Sequence, residues 1–152
     1  MLADVVADLP PLEQERIVCS IQAASRYQIP ANIMLAVAEK EGGKPNMRNR
    51  NSNGTYDLGT MQFNTSYLKS LKKHGIKEEY VLAEGCYPYH LAAWRLRMHL
   101  KNDKGDVYQR AANYHSYTPY YNRRYRVDLI KRSIKWTNWL KKHFETSDWG
   151  AK

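Results

Sequence analysis

The sequence lacks the features that mark several large classes of protein. It has no apolar run near the ~20 residues that a membrane-spanning helix needs, and no repeat, low-complexity tract or Gly/Ser linker divides it. Its five histidines and two cysteines show no metal-ligand spacing such as His-Glu-x-x-His. Gly54 and Gly59 lie in a turn-rich stretch without the strand-turn-helix order of a phosphate-binding loop. We therefore predict one domain over residues 1–152, with a core at about 10–144 and loose ends, and with no membrane span, metal or cofactor.

Acidic residues are scarce relative to basic ones. Fifteen Asp and Glu against 24 Lys and Arg give a formal net charge of +9, which favours a polyanionic partner such as nucleic acid, an acidic membrane surface or an anionic cell-wall polymer. Trp94, Trp136 and Trp139 are interleaved with basic residues in a way that suits base stacking. The chain matches no RRM, KH or zinc-finger pattern, however. A nucleic-acid-binding module is therefore kept as an alternative function. Because no known motif supports it, we do not expect a nucleic acid partner.

The beginning of the chain has neither a basic opening nor a long apolar stretch, so no secretory signal peptide is expected within it. The protein is then either cytosolic or the mature form of an exported protein with an added Met1. Cys19 and Cys86 are unpaired thiols in the first case and form a disulfide in the second. The residues leave both possibilities open.

Hydrophobic periodicity indicates a mainly α-helical domain. The first predicted helix has Pro10 and Pro11 in its first turn and runs to about Tyr27. The others run from Pro30 to Gly42, from Thr65 to Gly75, from about Pro88 through Leu96, from Val107 to about Tyr114, and from about Arg124 to Phe144. The inner side of the last helix is expected to carry Val127, Ile130, Ile134 and Leu140.

The stretch between Arg48 and Leu58, RNRNSNGTYDL, breaks the helical pattern. It is polar, has Asn-Gly at its centre and contains too many turn formers for a helix, so it predicts a small exposed β-hairpin. The predicted fold class is mainly α, an α+β arrangement with one small antiparallel hairpin.

Helical spacing draws attention to Glu41. Residues three, four and seven apart share one side of a helix, so Met34, Val37 and Glu41 lie together on the apolar side. Glu39 points elsewhere and is predicted to be a solvated surface charge. Burial raises the pKa of a carboxyl group, which makes Glu41 a candidate proton donor near neutral pH. The alternative is that Glu41 sits at a frayed helix end and bends into water.

The residues after Glu41 favour the functional interpretation. Gly42 and Gly43 remove side-chain bulk beside the carboxyl group, and Asp57, Gln62 and Asn64 supply polar groups in a connected loop. This arrangement suits a cleft that binds carbohydrate.

Four blocks of sequence, ANIMLAVAEKEGGKPN, NRNSNGTYDLGTMQFN, CYPYHLAAWRLRMHL and RAANYHSYTPYY, occur in an order that resembles one known family. It is that of the specialised lytic transglycosylases of bacterial secretion and conjugation systems, which are lysozyme-like enzymes that cleave peptidoglycan. The resemblance covers most of residues 17 to 130. It implies a lysozyme-like fold with the hairpin beside an active-site cleft.

The family motifs correspond to Glu41-Gly42, to GTMQFN at 59–64 and to Tyr114-His115. Two positions depart from the family pattern. Gly42 stands where the family has a serine that steadies the catalytic carboxyl group, and His115 stands where it has an asparagine that contacts saccharide. The proton donor itself is retained.

The resemblance implies a role for each candidate residue. Glu41 is the catalytic acid and then the base. Asp57 lies where c-type lysozymes have their second carboxylate; it either takes part in catalysis or supports the hairpin. Gln62 and Asn64 are candidate saccharide contacts. Tyr114 and His115 complete the predicted substrate-binding set, with Tyr114 bonded to Glu41 or to the substrate acetamido group, or else buried as an ordinary core aromatic.

The resemblance also implies an exported or periplasmic location, and with it a structural disulfide between Cys19 and Cys86. The expected partners are peptidoglycan glycan strands and components of a secretion or conjugation apparatus. Two further alternatives remain at this point. One is a muramidase that uses Asp57 as its second carboxylate, and the other is a wall-binding scaffold without turnover.

Overall fold

A computed structural model of the protein describes residues 2–144. In that range it contains a set of α-helices and one small antiparallel sheet, as the sequence predicts. The elements in chain order are α1 (Leu2–Val5), α2 (Pro11–Tyr27), α3 (Ala31–Glu41), β1 (Arg48–Arg50), β2 (Tyr56–Leu58), β3 (Phe63–Asn64), α4 (Thr65–Lys72), α5 (Glu78–Leu82), α6 (Tyr87–Asn102), α7 (Val107–Ala112) and α8 (Pro119–His143). Across these residues no helix is both long and apolar enough to cross a membrane.

Helix α3 forms the centre of the domain. All residues from 33 to 38 are buried, and the helix packs against α2, α6 and α8. It ends as predicted at Gly42, which adopts φ 60° and ψ 25° and donates its N–H to the Ala38 carbonyl at 3.1 Å. A left-handed conformation of this kind favours glycine. Glu41 is therefore the last helical residue, at the point where the chain leaves the core.

Helices α3 and α8 run antiparallel and are joined by polar contacts as well as apolar ones. The Asn32 amide donates to Thr137 Oγ1 at 3.0 Å near one end. Near the other end, Lys40 Nζ lies 2.9 Å from Asp128 Oδ2. The two pairs lie near opposite ends of the interface and fit one antiparallel register of the two helices.

Glu39 takes part in the same interface, so its prediction as a solvated charge was wrong. Its side chain is only 16% exposed and lies 3.0 Å from Arg132. It also pairs with Lys135 and accepts a hydrogen bond from Trp136 Nε1. These partners lower the pKa of Glu39 against the opposing effect of burial, the largest single influence. Glu39 thus stays ionised, two residues from Glu41.

Two predictions about the last helix were also wrong. It begins at Pro119 and not at about Arg124, and Val127 and Ile134 are 55% and 56% exposed. The buried positions are Asn122, Tyr125, Leu129, Ser133, Trp136 and Leu140. Apolar periodicity could not identify this face, because four of its six buried residues are polar or aromatic. Two of the four, Tyr125 and Trp136, bond to glutamates of α3.

The segment before Pro10, which was predicted to be a loose end, contacts the core in the structure. Val6 is 2% exposed and belongs to the core, and the Gln14 amide donates to the Leu9 carbonyl at 2.6 Å. The other predicted loose end, after Phe144, lies outside the described residues.

Two further details differ from the prediction. Asn64, and not Thr65, caps α4, since its Oδ1 accepts from the Ser66 N–H at 2.9 Å. The short helix α5 was not predicted at all.

The predicted hairpin is formed by β1 and β2, and β3 adds a third strand on the far side of β2. Asp57 lies in the central strand opposite Asn49 of β1 and Asn64 of β3. The connection around Gly54 is closed by a hydrogen bond from Asn51 N–H to the Thr55 carbonyl at 2.8 Å. This sheet brings the carboxylate of Asp57 and several amides to one side of the domain.

A disulfide joins Cys19 of α2 to Cys86, the residue before α6. The pairing is the one implied by the resemblance. It ties together two of the helices that enclose α3.

Candidate active site

Glu41 lies where two grooves adjoin. The first, here the hairpin groove, has a volume of about 390 Å³ and lies between the sheet and α6. The second, the helix groove, has a volume of about 370 Å³ and lies over the first turns of α8. Glu41, His115 and Tyr121 line both. A long chain substrate can therefore extend to either side of the Glu41 carboxyl group.

All six predicted catalytic and substrate-binding residues border the hairpin groove. They are Glu41, Asp57, Gln62, Asn64, Tyr114 and His115. They come from three parts of the chain: the end of α3, the sheet with its turn at residues 57–64, and the segment after α7.

The Glu41 carboxyl group is closely surrounded by protein although part of the residue stays accessible from the grooves. Burial is the main reason why the pKa of Glu41 rises from 4.5 to about 7, and the nearby Asp57 charge raises it further. A hydrogen bond from Tyr125 and the charges of Arg95 and Lys40 act in the opposite direction. Glu41 is thus poised to give up and take back a proton near neutral pH, and it does not bend into bulk water.

Tyr125 is the residue that holds the Glu41 carboxyl group. Its hydroxyl donates to Glu41 Oε2 at 2.6 Å. Of the alternatives for Tyr114, the structure shows the buried one. Its hydroxyl donates to the Met61 carbonyl at 2.9 Å and not to Glu41, and the residue is 3% exposed. Sequence reasoning missed Tyr125, which is separated from Glu41 by 84 positions and carries no local signal of that contact.

Gly42 and His115, the two departures from the family pattern, both lie close to the hydrogen bond between Tyr125 and Glu41. Gly42 has no hydroxyl group, so the oriented hydrogen bond to Glu41 comes from α8. The His115 ring stacks on Tyr125 with a centroid distance of 4.8 Å and an interplanar angle of 9°. Burial lowers the pKa of His115, which keeps the ring uncharged at neutral pH. His115 thereby limits how Tyr125 can move.

The amides that were predicted to contact saccharide also hold the groove together. Asn64 Nδ2 donates to Asp57 Oδ1 at 3.0 Å, while Gln62 Nε2 donates to the Gly59 carbonyl at 2.9 Å. The Gln62 Oε1 atom accepts from Asn49 at 2.8 Å. These bonds fix the positions of Asp57 and Gln62 beside the groove. Contact with saccharide remains a prediction for both amides.

Arg95 is a second residue that sequence reasoning missed. Its guanidinium donates to the Tyr114 carbonyl at 2.7 Å and lies 4.2 Å and 4.3 Å from the ring centroids of Tyr67 and Tyr114. A signal existed in the sequence, because Arg95 is four residues after Leu91 and so lies on the apolar side of α6. Arg95 supplies the positive charge that balances Glu41 and Asp57 in the hairpin groove.

Within residues 2–144, no group of three or more His, Cys, Asp and Glu side chains is arranged to hold a metal ion.

The hydrogen bond from Tyr125 leads to a prediction about pH. Because this bond favours the ionised carboxylate, its removal in Tyr125→Phe should raise the pKa of Glu41. Activity that needs protonated Glu41 falls as pH rises through that pKa, so the falling limb of the pH–rate profile should move to higher pH. The rate at the optimum should drop about tenfold, since a hydrogen bond to a charged group is lost. Both effects are measured from initial rates across pH 4 to 10.

Tyr108 provides a matched control, because its hydroxyl group also contacts α8. Tyr108 accepts a hydrogen bond from Ser133 Oγ at 2.8 Å and lines neither groove. Tyr108→Phe should leave the falling limb in place. An unmoved limb in Tyr125→Phe would show that Glu41 does not set the pH dependence.

Part of the chain is similar to known proteins. The family described as "Transglycosylase SLT domain" matches residues 18–126. Protein IpgF of Shigella flexneri is 40% identical over 76 residues, which are 49% of this chain and 50% of that protein. Invasion protein IagB of Salmonella typhimurium is 38% identical over 69 residues, which are 45% of this chain and 43% of that protein. The chain spans about half the length of the curated relatives it matches.

Proposed function

Because this chain belongs to the transglycosylase SLT domain family, we propose that it is a peptidoglycan lytic transglycosylase. It cleaves the β-1,4 bond between N-acetylmuramic acid and N-acetylglucosamine and leaves a 1,6-anhydro end on the muramic acid. The observation that carries this proposal is a single carboxyl group, that of Glu41, with a pKa of about 7 at the junction of two grooves.

Glu41 first acts as an acid. It protonates the bridging oxygen while positive charge develops at the anomeric carbon, and the substrate's own acetamido group stabilises that charge. Because the pKa of Glu41 lies near neutral pH, a large fraction of the enzyme carries the proton that this step consumes.

Glu41 then acts as a base. It removes the proton of the C6 hydroxyl group of the same sugar, and that oxygen closes the anhydro ring. The attacking hydroxyl is already tethered to the reacting sugar, which supplies much of the orientation that a second protein group would otherwise provide. Tyr125 supports the first step, because it donates to the carboxylate that this step creates, and it holds that carboxylate in place for the second step.

A muramidase is the second candidate function. Asp57 lies in the same groove as Glu41 and its charge acts on the pKa of Glu41. This is the arrangement in which a second carboxylate stabilises the cation or acts as a nucleophile. Water would then attack, and the product would be a reducing end.

Product analysis distinguishes the two functions and gives a prediction for Asp57→Asn. The substitution keeps the oxygen that accepts from Asn64 and removes the charge. For a transglycosylase we expect less than about a tenfold loss of rate and unchanged anhydro ends. Mass spectrometry of digested peptidoglycan measures both, because an anhydro end is one water lighter than a reducing end. Reducing ends in the wild type, with a loss of about a hundredfold or more in Asp57→Asn, would instead establish the muramidase.

The structure weakens the nucleic-acid hypothesis. Trp136 is 4% exposed and its ring N–H is bonded to Glu39, and Trp139 packs against Trp136 and Phe144. The Trp136 ring is therefore occupied by the core, and Trp139 is partly buried against it. Binding to short oligonucleotides that weakens strongly with salt, without lysis of purified sacculi, would revive the hypothesis.

The cellular role follows from the substrate. Peptidoglycan lies outside the cytoplasm, so the enzyme acts in the periplasm or after export, and the Cys19–Cys86 disulfide agrees with an oxidising compartment. The local opening of the wall for a secretion or conjugation apparatus is the role implied by the family resemblance. Similarity to a protein named as an invasion protein is compatible with that role.

A further inference from the structure

The two grooves beside Glu41 differ in charge. In the hairpin groove, the cation Arg95 is accompanied by Asp57 as well as Glu41. The helix groove is lined by Lys40, Glu41, His115, Tyr121, Arg124 and Tyr125. It therefore has two permanent cations and, apart from the catalytic acid, no carboxylate in its lining. One side of the cleft is suited to a neutral sugar and the other to an anionic group.

Arg124 is the cation of the helix groove that has no carboxylate partner among residues 2–144. Its Nη1 donates to the Tyr120 hydroxyl at 3.1 Å, and the guanidinium lies 5.6 Å from the centroid of that ring. Lys40 differs, because Asp128 lies 2.9 Å from its ammonium group. An arginine that is placed by a tyrosine but not neutralised keeps most of its donors available for an anion.

The wall of the helix groove also offers an apolar surface. Tyr121 is 54% exposed and lines both grooves. Exposed tyrosine rings present an apolar face with a polar tip, which suits a sugar ring. The groove thus combines a surface for a sugar with a cation for a substituent on that sugar.

We propose that the helix groove binds the sugar whose substituent carries a carboxylate, and that Arg124 is the residue that recognises it. The inference rests on the proposed function, because in peptidoglycan only the muramic acid has a lactyl carboxyl group, which is either free or extended by a peptide with its own carboxylates. N-acetylglucosamine has none. Arg124 is thus a specificity-determining residue that orients the glycan strand across Glu41.

Three soluble probes separate the sources of the carboxylate. Chitin oligosaccharides have no carboxylate, glycan strands stripped of peptide have the lactyl carboxylate, and intact strands have those of the peptide. Binding is measured by calorimetry in the Glu41→Gln background, which prevents cleavage, with and without Arg124→Gln. We expect Arg124→Gln to weaken binding of one or both carboxylate probes about three- to tenfold and to leave chitin oligosaccharide binding unchanged. Arg124→Lys should restore part of the loss, and the difference should shrink at high salt.

The adjacent arginine is the matched control. Arg123 lies on the same helical turn but lines a different surface pocket, together with Asp103 and Asn122. Arg123→Gln should bind all three probes as the parent does. With cleavable substrate, Arg124→Gln should raise KM by a similar factor and leave kcat within about twofold.

Two outcomes would overturn the inference. In the first, Arg124→Gln weakens binding of the neutral probe as much as binding of the anionic probes, which would make Arg124 a contact without specificity for carboxylates. In the second, it changes none of them. Failure of the proposed function is a separate result: the wild-type protein would release no fragments from sacculi. The binding comparison does not depend on cleavage and would still be valid.

Discussion

Glu41→Gln should reduce lysis of purified sacculi by about 10²–10⁴-fold, the usual contribution of a general acid. Glutamine keeps the shape of the side chain but cannot donate a proton to the bridging oxygen or later remove one from the C6 hydroxyl group. Binding to sacculi should persist, because the grooves on either side are unchanged. Turbidity measures the first quantity and co-sedimentation the second. The reduction should appear in kcat much more than in KM.

The same substitution should stabilise the fold at neutral pH, which separates a catalytic loss from unfolding. An unfolded glutamate ionises near 4.5, whereas folded Glu41 ionises near 7. Between these values the folded state binds more protons, so the stability that Glu41 contributes declines as pH rises from 4.5 to 7. Glutamine does not ionise. Glu41→Gln should therefore gain up to about 3 kcal/mol over wild type across that interval, measured by urea unfolding at pH 4.5 and pH 8.

Glu79 provides the control for Glu41→Gln, since it is an exposed carboxylate on α5. Glu79→Gln should leave both lysis and stability unchanged. Equal lysis by wild type and Glu41→Gln would remove Glu41 from the mechanism. If neither the wild type nor Glu41→Gln lysed sacculi while both still bound them, the protein would be a wall-binding scaffold.

Gly43→Ala should destabilise the domain by about 3 kcal/mol or more. A Cβ atom at this position would overlap the Gly59 carbonyl oxygen and approach the Gln62 amide to 2.9 Å. Both obstacles belong to the turn that faces Glu41, and the first is backbone that cannot rotate away. The substitution must therefore push the turn from the end of α3. Urea unfolding should show a lower midpoint with an unchanged slope.

Gly42→Ala separates the effect of this steric overlap from the effect of a left-handed backbone conformation. At Gly42 the nearest obstacle to a Cβ is the Glu39 carbonyl at 3.3 Å, but φ is +60°. Gly42→Ala should therefore cost only about 1–2 kcal/mol, the price of a left-handed conformation. Equal losses at the two positions would mean that the turn is not held against Gly43.

The close approach at Gly43 also bears on activity. Its N–H donates to the Thr60 carbonyl at 3.2 Å, so α3 and the turn are fixed to each other beside the groove. A shift of this turn should displace Gln62 relative to Glu41. We expect kcat of folded Gly43→Ala to fall, because catalysis is sensitive to misplacements of about 1 Å.

Local rules account for much of the site. The apolar run of α3, the two glycines that follow it and the Asn-Gly turn each act over a few residues, and they predicted the helix end, the hairpin and the approximate place of Asp57. The resemblance added the Cys19–Cys86 pairing and the motif at Tyr114-His115. These features depend on periodicity, turn chemistry and motif order, all of which can be seen in a single sequence.

Contacts between distant elements could not be predicted in this way. The bond from Tyr125 to Glu41 depends on the register of α8 against α3, in which Lys40 also meets Asp128. The same register buries a mixed face of α8, which includes Asn122 and Ser133, and it encloses Glu39. Apolar periodicity predicted a different inner face for α8 and an exposed Glu39.

The sequence by itself therefore determined that a carboxyl group ends a buried helix beside a polar hairpin. Only the tertiary structure decided which tyrosine holds that carboxyl group and which arginines flank it. The physical reason is the distance along the chain over which each interaction acts. Helix spacing, capping and turn preferences couple residues up to about seven positions apart, whereas the burial that raises the pKa of Glu41 comes from helices and loops that meet only in the folded domain.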